Sequence, residues 1–161
     1  EFSKLKQITK CLKKIAKDFT IEIYGSGPQK QNIEKLIKKY RLEDKTIIKG
    51  YVDTRELLTA MSSANVFVAP YIRENASLMV SEALYAGLPV VTISDTGPSS
   101  VCSFFNSNLS KISEGTGEEL IEHLKKNIEY YLDNFIIENP KPTSNFDEDI
   151  VREVEKIINT F

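Results

Sequence analysis

Ala64-Asn65-Val66-Phe67-Val68-Ala69-Pro70 and, further on, Pro89-Val90-Val91-Thr92-Ile93 are two short, largely apolar runs built around valine, phenylalanine and isoleucine. Between them, Leu78-Met79-Val80-Ser81-Glu82-Ala83-Leu84-Tyr85-Ala86-Gly87 has few residues that break a helix until its closing glycine. Strand, helix, strand is the simplest reading, with a helix near 77–86. The strands are apolar throughout rather than alternating, which is the pattern of strands buried on both faces. A parallel sheet with helices on both faces follows, because parallel neighbours need a crossover between them.

The same alternation extends to both sides. Upstream, residues 2–17 place Leu5, Ile8, Leu12, Ile15 and Ala16 at helical spacing with lysines on the rest of the surface, and a strand follows at Thr20-Ile21-Glu22-Ile23-Tyr24. A helix near 28–40, a strand at 46–49 and a helix near 54–63 lead to the strand at 66–69. Downstream, the pattern predicts short elements near 98–105 and 109–112, then helices at 118–134 and 147–159. Asn139-Pro140-Lys141-Pro142-Thr143-Ser144-Asn145 reads as a linker before the last helix. A chain of 161 residues with 41% hydrophobic and 27% charged composition is expected to form one domain, over 1–161.

Composition excludes several classes. Lysine and arginine total 21 against 23 acidic residues, so the formal charge of −2 gives no reason to expect nucleic acid as a main partner. Cys11 and Cys102 stand far apart, without zinc-site spacing or a disulfide framework, and fit a reducing cytosol. No apolar run approaches the ~20 residues needed to cross a bilayer. The lysine face of the first helix (Lys4, Lys6, Lys10, Lys13, Lys14, Lys17) reads as a solvated surface, with peripheral contact to anionic lipid at the cytoplasmic face as the alternative.

In open parallel sheets ligands gather at the carboxyl ends of strands. Four loops fall there: Gly25-Ser26-Gly27-Pro28, Gly50-Tyr51-Val52-Asp53, residues 70–77 and Ser94 to Ser99. In the third, Glu74 lies in the loop and Glu82 inside the following helix, whose amino-terminus Ser77 is placed to cap. A helix amino-terminus suits a phosphate, and flanking carboxylates suit hydroxyls. A sugar joined through diphosphate to a ribose carries these groups. The plain alternatives are that Glu74 and Glu82 are solvated, that Gly25 and Gly27 only supply positive φ, that Tyr51 only covers the core, and that 94–99 is an ordinary turn. His123 reads as an ordinary helix residue.

The proline-closed strand, Glu74, Glu82-Ala83-Leu84, Gly87 and the Pro89-Val90-Val91 strand together resemble the signature of retaining glycosyltransferases of family 4, which have the GT-B fold. Ile23-Tyr24-Gly25-Ser26-Gly27-Pro28, Ile48-Lys49-Gly50-Tyr51-Val52 and Ala64 to Pro70 resemble further blocks of that family, in the right order. The resemblance implies a Rossmann-like domain, the C-terminal half of a GT-B fold, that binds a UDP-, GDP- or ADP-sugar without metal or other cofactor. It implies that Glu74 acts at the sugar as the catalytic carboxylate and that Glu82 binds the ribose hydroxyls. It places the N–H groups of Ala76, Ser77 and Leu78 at the sugar and diphosphate, Tyr51 and Val52 at the base, and Gly25 and Gly27 near the phosphates. The acceptor, a glycan or lipid-linked glycan, would be held by an N-terminal domain.

Two departures matter. The family's small glycine-rich run after the first glutamate is Asn75-Ala76-Ser77 here. The family's opening strand, with the arginine and lysine that hold the diphosphate, precedes the helix with which this sequence begins. In the expected order 3-2-1-4-5-6 that strand is central, so the sheet is expected to carry a gap, closed by direct pairing of strands 20–24 and 66–69 or by another chain. Residues 1–161 alone are expected to lack transferase activity. The rival readings are a nucleotide-sugar epimerase of the same fold and a non-catalytic nucleotide-sugar-binding module.

Overall fold

The computed structural model describes residues 2–69, 78–105 and 108–134. The elements run α1 (Phe2–Lys14), β1 (Ile21–Tyr24), α2 (Lys30–Tyr40), β2 (Thr46–Gly50), α3 (Thr54–Ser63) and β3 (Phe67–Ala69). They continue with α4 (Leu78–Tyr85), β4 (Val90–Ile93), α5 (Gly97–Phe105), β5 (Ser110–Ser113) and α6 (Gly117–Asp133). Every element expected over this range is present, with small shifts at the ends; a single 3-10 turn at Glu43–Lys45 is additional. The linker 139–145 and the helix 147–159 lie outside the described residues.

All strand pairs among the described residues are parallel. β3, β4 and β5 form one ladder in that order, and β1 pairs with β2 in another. β4 is the centre of the larger ladder and its four residues are buried, as a strand covered on both faces must be. Its side chains alternate between two cores. Val90 packs with Val80, Ala83 and Leu84 of α4 and with Cys102 and Phe105 of α5. Val91 and Ile93 pack on the other face with Ile8, Cys11 and Ile15 of α1 and with Leu120, Leu124, Ile128 and Tyr131 of α6. The Thr92 hydroxyl satisfies itself by donating to the carbonyl of Ala69 across the ladder, at 3.0 Å.

Among the described residues the two ladders are not hydrogen-bonded to each other. Direct pairing of the strands near 20–24 and 66–69 is therefore corrected: β1 bonds to β2, and β3 bonds to β4. The physical reason is that each strand is paired with the neighbour its crossover helix brings alongside, β2 after α2 for β1 and β4 after α4 for β3. Val66 and Val68 of the β3 segment and Phe19, just before β1, pack against one cluster that includes Ile8, Cys11 and Ile15.

The lysines of α1 and of the turn after it also differ from a free basic face. Lys10 and Lys14 reach Glu118 at 3.3 and 3.0 Å, Lys14 reaches Glu122 at 2.6 Å, and Lys17 pairs with Asp133. Half of the six lysines are thus turned toward α6. Among the described residues no helix is long and apolar enough to cross a membrane.

Candidate functional site

The carboxyl end of β1 turns sharply at Gly25, whose φ of +116° is a conformation that side chains resist. Gly50, at the end of β2, has φ +76°. The N–H of Gly25 donates to the carbonyl of Gly50 at 2.7 Å, so the loop of Gly25 to Pro28 and the loop of Tyr51 to Asp53 are tied at their roots. Gly27 has no positive φ, and a methyl group added to either glycine meets nothing within 4 Å. Backbone conformation explains Gly25; it leaves Gly27 without a local structural requirement.

Tyr51 follows Gly50 and is 83% exposed, so it does not cover the core. An exposed ring beside a polar loop end can offer a flat apolar face to a planar group while its hydroxyl stays in water. Val52 is half-buried. Asp53 then caps α3, its carboxylate accepting from the N–H of Glu56 at 2.8 Å, which contributes about 1 kcal/mol to holding this loop-to-helix junction.

In α4, Val80, Ala83 and Leu84 face the core, while Leu78, Glu82 and Tyr85 form the opposite stripe at i, i+4 and i+7. Leu78 is 76% exposed and Tyr85 44%. Glu82 between them is half-buried. This accounts for a carboxylate in an otherwise apolar helix: its position lies on the side of α4 turned away from Val80, Ala83 and Leu84, while Tyr85 on the same side reaches Phe105 edge-on at 5.5 Å. Glu74, Ala76 and Ser77, together with the expected Ser77 cap, lie outside the described residues.

After β4, Asp95 adopts φ +57° and Thr96 and Ser99 lock the start of α5 through reciprocal bonds. The Thr96 N–H donates to Ser99 Oγ at 3.0 Å, the Ser99 N–H to Thr96 Oγ1 at 3.3 Å, and Thr96 Oγ1 donates to the carbonyl of Ile93 at 2.7 Å. The buried side chains of Thr96 and Ser99 are thus committed to holding this turn, while Asp95 is exposed. This network of a capping kind was not foreseen, although Thr96-x-x-Ser99 could have signalled it.

Other polar groups are structural. Tyr24 donates its hydroxyl to Glu22 at 2.6 Å, and Lys49 pairs with Glu22 at 3.3 Å. The tyrosine bond, more than the lysine, holds the Glu22 carboxyl below its usual range, and the same bond pushes Tyr24 up to about 12. Burial, assisted by Glu129 and Glu122, pushes the Cys11 thiol up to about 12, and burial pushes Cys102 up to about 11. Neither thiol is in a disulfide. His123 is exposed on α6, as expected for an ordinary helix residue. A hollow of about 260 Å³ between α1 and the start of α6 is lined by Lys6, Gln7, Lys10, Gly117, Glu118 and Ile121. None of the expected binding residues lines it, and Lys10 and Glu118 already pair across it.

The parallel α/β sheet with glycine turns at its carboxyl edge defines the class of open doubly wound domains. Residues 2–138 match the family described as Glycosyl transferases group 1, and the chain belongs to that family. Among similar proteins, 2-deoxystreptamine glucosyltransferase of Streptomyces kanamyceticus is 30% identical over 74 residues, covering 46% of this chain and 19% of that protein. The fold superimposes on sucrose-phosphate synthase from Thermosynechococcus elongatus with a TM-score of 0.70 at 22% identity, covering 84% of this chain and 34% of that one. It also superimposes on the pneumococcal O-GlcNAc transferase GtfA, solved in complex with UDP and GlcNAc, with a TM-score of 0.57 at 21% identity, over 81% of this chain and 24% of that one. At these identities the structural likenesses establish the GT-B type of fold. The matched segment is thus about a fifth of the length of this curated relative.

Proposed function

We propose that this chain is the donor-binding domain of a glycosyltransferase, taking a nucleoside-diphosphate sugar and passing its sugar, with retention at the anomeric carbon, to an acceptor held by an N-terminal domain. The observation that carries the proposal is the half-buried Glu82 on the side of α4 turned away from Val80, Ala83 and Leu84, within a chain of the Glycosyl transferases group 1 family. A carboxylate accepts two hydroxyl hydrogen bonds and so suits the cis diol of a ribose. The neighbouring protein with UDP bound supports a nucleoside diphosphate as the handle; uridine, guanosine and adenosine are the bases to be tested.

In this reading Gly25 and Gly27 line the phosphate end of the cleft and Tyr51 and Val52 border the base. Glu74 meets the sugar hydroxyls and the positive charge that develops at the anomeric carbon, while the N–H groups of Ala76, Ser77 and Leu78 face the sugar and diphosphate. Backbone donors at a helix start stabilise the departing diphosphate, so no divalent ion is needed. The acceptor is a glycan or a lipid-linked glycan, and the enzyme works at the cytoplasmic side.

The test is turnover by the full-length protein with radiolabelled UDP-, GDP- and ADP-sugars and a cell extract as acceptor source, with EDTA present. Transfer of label to an acceptor supports the proposal. Release of an altered free sugar with no acceptor present identifies an epimerase instead, and binding without any turnover identifies a sensing module.

A further inference from the structure

We propose that the outer surface of α1 and α2 docks on an anionic lipid bilayer, with exposed lysines at the headgroups. This goes beyond the donor-binding reading and does not depend on it. The chain is close to neutral as a whole, but its charge is unevenly placed. Residues 1–45 hold 12 basic against 6 acidic residues, a formal +6, whereas residues 46–161 hold 9 against 17, a formal −8. The basic stretch is the one that builds α1 and α2, which pack against each other on one face of the sheet.

The cations of this layer fall into two groups. Lys10, Lys14 and Lys17 are matched by Glu118, Glu122 and Asp133 of α6. Lys6 and Lys13 of α1, Lys35, Lys38 and Lys39 of α2, and Arg41 at the end of α2 are exposed and make no ion pair among the described residues. Lys35, Lys38 and Lys39 stand at i, i+3 and i+4 on the side of α2 away from the buried Leu36 and Ile37, so they form one like-charged patch. Like charges at that spacing weaken a helix in water, whereas an anionic surface attracts all three at once. The pairs between α1 and α6 favour the same surface, because they neutralise carboxylates that would otherwise border it.

The chemistry of the patch selects its partner. Five of the six cations are lysines, point charges without the planar fork with which arginine pairs a phosphate in fixed geometry. Among the described residues the exposed aromatic rings are Tyr51, Tyr85 and Tyr130, none of them on α1 or α2, so this surface offers no platform on which bases could stack. The exposed large apolar side chains likewise lie on other elements, so the attachment is electrostatic and does not insert into the acyl chains. Clusters of about four to eight basic residues are what a leaflet rich in anionic lipid attracts. The acidic remainder of the chain is repelled, which turns the α1–α2 face toward the bilayer. The carboxyl ends of the strands then point along the membrane, and the Gly25 and Gly50 turns stay clear of lipid.

Vesicle flotation with the full-length protein tests this. Vesicles of phosphatidylcholine alone are compared with vesicles of phosphatidylcholine and phosphatidylglycerol in equal parts, at low salt and at about 1 M salt, where the Debye length is about 3 Å. The expected result is binding to the anionic vesicles only, lost at high salt. Each basic residue near the surface contributes roughly fivefold, so Lys35→Glu/Lys38→Glu/Lys39→Glu should weaken binding at least about thirtyfold with the melting temperature retained. Where charge reversal lowers the melting temperature, Lys35→Gln/Lys38→Gln/Lys39→Gln carries the test, with an expected loss of at least about tenfold. Arg55→Glu/Lys126→Glu, at exposed cations of α3 and α6, should leave binding within about threefold. Equal binding to neutral vesicles overturns the proposal, as does a triple variant that binds like the native sequence or a control that loses as much as the triple variant. Absence of binding to the anionic vesicles also overturns it, and assigns the patch to nucleic acid if an RNA oligonucleotide binds instead and the triple variant loses it.

Discussion

Gly25 and Gly50 are joined by a backbone hydrogen bond of 2.7 Å, and both hold positive φ. Two loops that are distant in sequence are thereby fixed to each other at the edge where a ligand is expected. The glycine turn separates structural from binding requirements. Gly25→Ala should cost about 1–2 kcal/mol of stability, the usual penalty of a left-handed side chain. Gly27→Ala should leave the melting temperature within about 1 °C, because neither φ nor space forbids the methyl group. A loss of nucleotide affinity in Gly27→Ala with unchanged melting identifies Gly27 as a place of close ligand approach; unchanged affinity returns it to an ordinary loop.

Tyr131 anchors α6 from within the core. It is fully buried, and its hydroxyl donates to the carbonyl of Asn108 at 2.7 Å. Tyr131→Phe should destabilise by about 1 kcal/mol, and Tyr131→Ala by about 3–5 kcal/mol, measured by urea unfolding. Equal costs for the two would show that packing contributes little there.

The thiols give a prediction at alkaline pH. A raised folded-state value means that the fold prefers the neutral thiol. Its stabilising contribution is full below the unfolded value of 9.0 and is lost as pH rises through about 12 for Cys11. Melting temperature should therefore begin to fall above about pH 9, and less steeply in Cys11→Ala relative to its own value at pH 7. Native protein at pH 8 should resist alkylation at both cysteines until denatured.

The ion pairs between α1 and α6 respond in the opposite direction. Hydrogen bonds from Lys14 and then Lys10 hold the Glu118 carboxyl below its usual range. A depressed value means stability that is present above the unfolded value and lost as pH falls through the folded one. Between pH 5 and 3 the melting temperature should drop more in the native sequence than in Glu118→Gln. Salt should weaken the difference, because both partners are exposed.

The order of elements was legible because the first strands are short runs rich in apolar residues closed by glycine or proline, as at Tyr24-Gly25 and Ala69-Pro70, and helices such as α1 and α6 carry a periodic apolar face. The hydrophobic periodicity of α6, with Leu120, Ile121, Leu124 and Ile128 buried, appears in the fold as read. What the sequence did not disclose was partnership. Nothing in Lys10, Lys14 or Lys17 says that a helix more than a hundred residues away will supply their carboxylates. The pairing of strands also depends on tertiary packing, so apolar runs at 20–24 and 66–69 could not reveal that they bond to different neighbours, β2 and β4. For the candidate site, Gly25 and Tyr51 were placed together at one edge. The surface role of Glu82 followed from the helix period once α4 buried Val80, Ala83 and Leu84.

The central claim is that this chain binds a nucleoside-diphosphate sugar through Glu82. Calorimetric titration of UDP-, GDP- and ADP-sugars into the full-length protein, beside its Glu82→Ala variant, tests it most directly. The account predicts saturable binding of at least one of the three, weakened at least tenfold in Glu82→Ala with the melting temperature retained. Absence of binding by all three, or binding that the variant leaves unchanged, would contradict it.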